Sequence, residues 1–177
     1  MATKQSGSGR PADSEYAPFY AGYVALVPET EILPVLRSQP AELRDLALSV
    51  GLARETYAYA AGKWTIREVF GHMGDAERVF GYRAFCIGRG ETQPLPGFDE
   101  NDYVARARFG DFALADLVRE FALLRESSLS ALRRVPDEAW SNVGTAGGAP
   151  VSVRALAFMM AGHVRHHAGV IANRYRP

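Results

Sequence analysis

The stretch Leu156-Ala157-Phe158-Met159-Met160-Ala161-Gly162-His163-Val164-Arg165-His166-His167-Ala168-Gly169-Val170-Ile171 decides the fold. Leu156, Met159, Met160, His163, His167, Val170 and Ile171 recur at spacings of three and four, the period of one helix face. Ser152 stands ahead as an N-cap, so the spacing predicts a helix from about Val153 to Tyr175. Working back along the chain, Thr65-Ile66-Arg67-Glu68 is a capping box. It opens a helix from about Ile66 to Ile87 that carries Val69, Phe70, Met73, Phe80 and Ala84 on its apolar side and stops at Gly88 and Gly90. Leu114, Leu117, Val118, Phe121, Leu124, Leu132 and Val135 mark a third helix, ended by Pro136. A fourth covers Ile32 to Val50 before Gly51. An interior Pro40 costs a helix about 3 kcal/mol, so this one starts either at Ile32 or near Pro40.

Between these segments Pro94-Leu95-Pro96-Gly97 is too rich in proline for a helix, and Asp99 to Ala107 is read as a short one. Gly144 to Ala149 reads as a glycine-rich loop. No segment alternates with period two, so no sheet is expected. Four amphipathic helices of about 20 residues bury one another's stripes most simply as an all-α four-helix bundle. Residues 1–15 are small and polar and read as a flexible tail, which leaves 16–177 as a single domain.

The 177 residues carry 20 basic and 20 acidic side chains, a formal net charge of zero. That balance opposes general nucleic-acid binding, which needs surplus positive charge to displace counterions. The single cysteine, Cys86, excludes an intramolecular disulfide and a cysteine-based zinc site, and fits a reducing, cytoplasmic setting. The longest apolar run, Ala155 to Gly162, is far too short for a bilayer, so no membrane partner is expected.

The chain has four histidines: His72, His163, His166 and His167. His163 and His167 lie about 40° apart around their helix and about 6 Å along it, so both point from its apolar face into the core. His72 lies on or beside the core face of the Ile66–Ile87 helix. Buried imidazoles need partners for their nitrogens. One shared divalent ion satisfies all three at once, and zinc, nickel, iron and cobalt all suit such donors. Three separately hydrogen-bonded core histidines are the competing reading. His166, about 60° from His163 around the helix, is either an acid/base group in the pocket or a rim residue. Asp75, one turn after His72, either accepts a hydrogen bond from a ligand imidazole or pairs with Arg78 or Arg67. Trp64, Phe98 and Tyr103 either wall a pocket or pack the bundle ends. Cys86 lies about 21 Å along the helix from His72, out of reach of a shared ion.

Three blocks carry a resemblance: Lys63-Trp64-Thr65-Ile66-Arg67-Glu68-Val69-Phe70-Gly71-His72, Asp75-Ala76-Glu77-Arg78, and Gly162-His163-Val164-Arg165-His166-His167. With the linker Pro94 to Tyr103 they make the chain, from about Tyr23 to Tyr175, similar to the DinB-like superfamily of metal-binding four-helix proteins. The resemblance implies an up-down-down-up bundle, a metal site on His72, His163 and His167, and a homodimer. It also implies chemistry of the kind seen in characterised relatives, which are S-transferases and an isomerase that use low-molecular-weight thiols. Three protein ligands leave a position open for catalysis. The leading expectation is therefore a thiol-dependent S-transferase holding zinc or nickel, or else iron or cobalt. It joins an exogenous thiol to a small-molecule electrophile, with His166 and Asp75 as the titratable groups nearby. A hydrolase using metal-activated water and a non-catalytic metal-binding stress or interaction protein are the alternatives.

Overall fold

The computed structural model describes residues 9–175. The main helices are α2 (Ile32–Val50), α3 (Ile66–Gly88), α5 (Leu114–Leu132) and α6 (Val153–Arg174), with two short ones, α1 (Ala21–Ala25) and α4 (Glu100–Ala107). Each start has a local chemical cause. The Thr65 hydroxyl accepts from the Glu68 N–H at 3.3 Å while the Glu68 carboxylate accepts from the Thr65 N–H at 2.6 Å, the reciprocal box expected from sequence. Ser152 caps α6 through the Ala155 N–H, and Asp99 caps α4 through the N–H groups of Asn101 and Asp102. No side chain of its own caps α5. Buried Glu55 does so from a distance, accepting from the Leu114 N–H at 3.2 Å while it also holds Arg67.

Pro40 lies inside α2, and the helix runs unbroken from Ile32. A proline at 40 supplies no N–H to the Leu36 carbonyl one turn back. The Arg125 guanidinium donates to that carbonyl instead, at 3.1 Å. The same guanidinium forks onto Glu77 at 2.9 and 2.8 Å and donates to Gln39, whose amide donates in turn to the Ala161 carbonyl. One fully buried cation from α5 thus ties together all four long helices.

These contacts also set the directions. Gln39 meets Ala161 and Val50 lies near Ile171, so α2 and α6 run parallel. Leu36 meets Arg125 while Arg44 lies near Leu114, so α2 and α5 are antiparallel. On α3, Gly74 faces Leu124 and Gly81 faces Ser128, a parallel pair, and Gly88 reaches the start of α6 at Val153, an antiparallel one. The result is an up-down-down-up four-helix bundle. Phe70, Met73, Phe121, Leu36, Leu156 and Phe158 lie fully inside it.

Three expectations change. The glycine-rich loop is a hairpin, β1 (Val143–Ala146) paired antiparallel with β2 (Ala149–Ser152), so a small sheet exists where none was expected. Its two-residue turn is Gly147-Gly148 with φ of 59° and 80°, the positive angles that hairpin turns of this length require and glycine adopts freely. The four-residue strands are too short for alternation to register. The expected tail over residues 1–15 divides. Residues 1–8 lie outside the described residues, but Gly9 to Glu15 is fastened down: Gly9 N–H donates to the Thr30 carbonyl, and buried Glu15 accepts from Ser152 and Arg154 at 2.7–2.8 Å. The third helix also ends earlier than Val135, at Leu132.

Candidate metal centre

Antiparallel packing of α3 on α6 brings the second turn of one helix against the middle of the other. His72 Nε2 comes to 2.9 Å from His163 Nε2, across 91 positions of sequence, and His167 Nε2 to 3.1 Å from the same atom. All three donor atoms lie within 4.8 Å of one another. His72 and His163 are 5% and 4% exposed, and His167 is half-buried. Burial, more than the neighbouring rings, holds His72 down at about 4 and His167 at about 3, and pushes fully enclosed His163 well below the ordinary imidazole value. Three neutral rings therefore aim nitrogens at one point.

A divalent ion fits this arrangement better than hydrogen bonding does. A neutral Nε2 either donates one hydrogen or offers one lone pair, yet His163 Nε2 has two nitrogen neighbours at hydrogen-bond distance. One of the two contacts is left unsatisfied, at a cost in a buried site. Nitrogens bound about 2.05 Å from an ion stand about 2.9 Å apart at a right angle and about 3.4 Å at the tetrahedral angle. The two distances from His163 Nε2, 2.9 and 3.1 Å, fall in that range, and the third pair, His72 to His167, is within 4.8 Å and closes when an ion is held by all three.

The neutral cluster has a consequence for the metal-free protein. Unfolded histidines take up protons below about pH 6.5, while His72 resists until about 4 and His167 until about 3. The unfolded state then binds more protons, so stability falls as pH falls through that window. At pH 5.5 the expected loss approaches about 1.4 kcal/mol for each ring, with no contribution above about pH 7.5. Urea unfolding of chelator-treated protein at pH 7.5 and 5.5 measures it, and equal midpoints would contradict buried neutral rings.

The cluster opens on a cleft of about 240 Å³. Trp64 stacks on His72 with centroids 4.8 Å apart, Tyr23 meets His163 edge-on at 5.4 Å and Phe80 meets it at 5.9 Å. Tyr23 reaches the site because α1 lies directly against α6 at Gly162: a Cβ there would stand 2.0 Å from the Tyr23 carbonyl oxygen. The opposite wall holds Phe98, Gly97 and Gly147, with buried Arg83 below and exposed Glu100 at the rim. The linker is fixed there as an extra rung on the hairpin, with Leu95 N–H donating to the Thr145 carbonyl at 2.8 Å and Gly147 N–H to the Leu95 carbonyl at 3.0 Å.

Of the residues singled out from sequence, the structure brings His72, His163 and His167 together and places Trp64 and Phe98 on the cleft. Tyr103 meets Phe98 edge-on without lining the cleft. Asp75 is elsewhere: it pairs with Arg78 at 3.4 Å, and Arg78 also binds Glu120 across to α5. Burial raises its carboxyl above the usual range, with Arg78 opposing. His166 is exposed, packs on His167 and Tyr23, and borders a separate hollow behind Trp64. Its Nε2 and Nδ1 are not among the converging donors. His166→Ala is accordingly expected to keep full metal stoichiometry by elemental analysis, and a metal-free variant would mean that the ligand set is wrong. Sequence reasoning missed Tyr23, Phe80 as a ring neighbour of His163, Arg83 and Glu100. Only Arg83 left a trace, as a charge inside an otherwise apolar helix face.

The DinB superfamily family model matches residues 36–171. The chain belongs to the DinB superfamily. Among solved structures, this DinB-superfamily chain is similar to YfiT from Bacillus subtilis, described as a probable metal-dependent hydrolase with an unusual four-helix bundle topology. The TM-score is 0.75 at 17% identity, over 96% of this chain and 93% of that one. It is also similar to a mycothiol-dependent maleylpyruvate isomerase, with a TM-score of 0.66 at 19% identity, covering 82% of this chain and 61% of that one. At these identities the likeness establishes the shared fold. No protein of curated function matches the chain. No helix among the described residues is long and apolar enough to cross a membrane.

Proposed function

We propose that this DinB-superfamily protein is a metal-dependent S-transferase that joins an exogenous low-molecular-weight thiol to a small electrophile. The observation that carries the reading is the open side of the three-imidazole cluster, which faces an aromatic cleft lined by no cysteine, serine or threonine among the described residues. Cys86 sits near the far end of α3, half-buried, and does not line the cleft. A divalent ion on the three rings, zinc or nickel before iron or cobalt, would supply Lewis acidity that favours the thiolate form of a thiol at its remaining position. His72, His163 and His167 hold that ion, and Trp64 fixes the His72 ring. The aromatic walls offer apolar surface to the body of the electrophile. In the transfer the sulfur–carbon bond forms, the bond to the leaving group breaks, and the thiol proton passes to solvent. That a fold relative is mycothiol-dependent agrees with this reading. A reducing cytoplasm belongs to the same proposal, because the thiol must stay reduced.

The second reading, hydrolysis, is favoured by one observation: Glu100 is the carboxylate that borders the cleft, and a hydrolase needs a general base near its water. Conjugation of an aryl chloride or epoxide by zinc- or nickel-loaded protein, assayed across several small thiols and with none, separates the two. Turnover only with thiol is expected. Turnover without thiol supports hydrolysis, and no turnover in either case removes the enzymatic reading.

A further inference from the structure

Arg83 is a buried cation on the cleft wall, apart from the imidazole cluster. It is 4% exposed and has no acidic partner within salt-bridge distance among the described residues. One Nη2–H donates to the Pro96 carbonyl at 2.7 Å, and the Phe98 ring lies 5.9 Å from the guanidinium carbon. Buried Arg125, by contrast, is matched by the forked Glu77 carboxylate. A mostly buried charge without a counter-ion is costly to hold, and here the guanidinium nitrogens that no protein group occupies are not among the fully enclosed ones and line the same cleft as His72, His163 and His167. Glu100 borders that cleft too, but it is exposed and forms no ion pair with Arg83.

The surroundings leave space at the guanidinium. Gly97 and Gly147 bring bare backbone to the cleft wall, and a Cβ on Gly147 would sit 3.7 Å from Nη2. The hairpin turn and the linker rung thus shape an opening beside the charge. Arg83 follows His72 by 11 positions, about 16 Å of helix rise, so the two groups stand at opposite ends of one cleft. Phe80, one turn before Arg83, lines the same cleft and meets the His163 ring edge-on at 5.9 Å.

We propose that Arg83 is the carboxylate receptor of the cleft, so that the electrophile is a small organic acid. Its carboxylate meets the guanidinium, its apolar body lies along Phe80 and Tyr20, and its reactive carbon faces the imidazole cluster. The planar fork of arginine suits a carboxylate through paired hydrogen bonds. The cleft, about 240 Å³, is below the usual range for drug-sized ligands and suits a compact acid. This specificity rests on the cleft being the substrate site of the proposed transferase.

The test is equilibrium binding of 4-chlorobenzoate against its neutral analogue 4-chlorobenzamide, read by calorimetry and Trp fluorescence. It is run on the full chain, both zinc-loaded and chelator-treated, without thiol. The wild type is expected to prefer the acid by about tenfold or more, with the preference kept in the metal-free protein, because an arginine and not the ion provides it. Arg83→Gln is expected to bring the two affinities together while metal content stays unchanged. If Arg83→Gln does not fold, Arg83→Lys carries the test, with a partial loss of preference expected since one ammonium replaces the fork. Equal affinities in the metal-free wild type, a preference that vanishes with the metal, or a preference untouched by either substitution overturns the proposal. Neither thiol nor turnover enters this measurement, so its failure is distinct from failure of the transferase reading.

Discussion

Glu77→Ala is expected to lower the unfolding free energy by about 3–5 kcal/mol, because it strands a fully buried guanidinium. Arg125 is 0% exposed, and among the described residues Glu77 supplies its only carboxylate, through two hydrogen bonds of 2.9 and 2.8 Å. Removing the acid leaves the charge with Gln39 and the Leu36 carbonyl alone. Urea denaturation measures the effect, and a loss below about 1 kcal/mol would show the pair to be solvated. Replacing both partners by apolar residues, Glu77→Leu with Arg125→Met, is expected to recover much of the loss, as buried pairs often allow. Recovery stays incomplete for a reason specific to this chain. Arg125 also covers the Leu36 carbonyl that Pro40 leaves without its helical donor. Adding Pro40→Ala restores that N–H, so the triple variant is expected to be more stable than the double one.

The second large effect is on metal binding. His163 Nε2 is the atom within 3.1 Å of both other donors, so His163→Ala removes the middle of the set. Structural zinc sites bind with about 10–16 kcal/mol overall. Losing one ligand of three is therefore expected to cost roughly 3 kcal/mol or more, a hundredfold or greater loss in affinity. An ion at 100 times its dissociation constant stabilises the native state by about 2.7 kcal/mol, which for a chain of this size is about 5–10 °C in Tm. The wild type is expected to show that rise on adding zinc or nickel, and His163→Ala to show none. Reading the difference with and without ion cancels any change in packing of the metal-free variant. An undiminished rise in the variant would place the ion elsewhere.

Both variants act on α3 and α6, yet the two sites differ in how visible they are from sequence. His163 and His167 declare a shared face through a spacing of four, and His72 follows a capped start at Thr65 that fixes the phase of its helix. Glu77, Arg125 and Gln39 each fall on the apolar stripe of their own helix, between Met73 and Phe80, Phe121 and Leu129, and Leu36 and Leu43. That marks them as buried polar groups but not as partners, and they meet only because α2, α3 and α5 pack around one centre. Pro40 misleads for the same reason. Read locally it breaks a helix, and a distant guanidinium repairs the break. Asp75 shows the converse. Its place one turn after His72 invited a role at the imidazoles, but helix rotation turns it toward Arg78 on the α5 side.

The amino-acid order by itself set the four long helices, the caps of α3 and α6 and the shared face of His163 and His167, since all of these follow from periods of three to four and from side chains bonding to backbone a few residues away. Tertiary structure brought His72 to that pair, 91 positions from His163, and decided the wall around the cluster. Tyr23 meets His163 through a close approach at Gly162, and Arg83 joins the cleft through a hairpin and linker more than ten positions away. The buried ionic tie likewise belongs to the assembled bundle. Such contacts depend on which helices lie side by side and in which direction, and that choice comes from packing the whole apolar interior rather than from any local repeat.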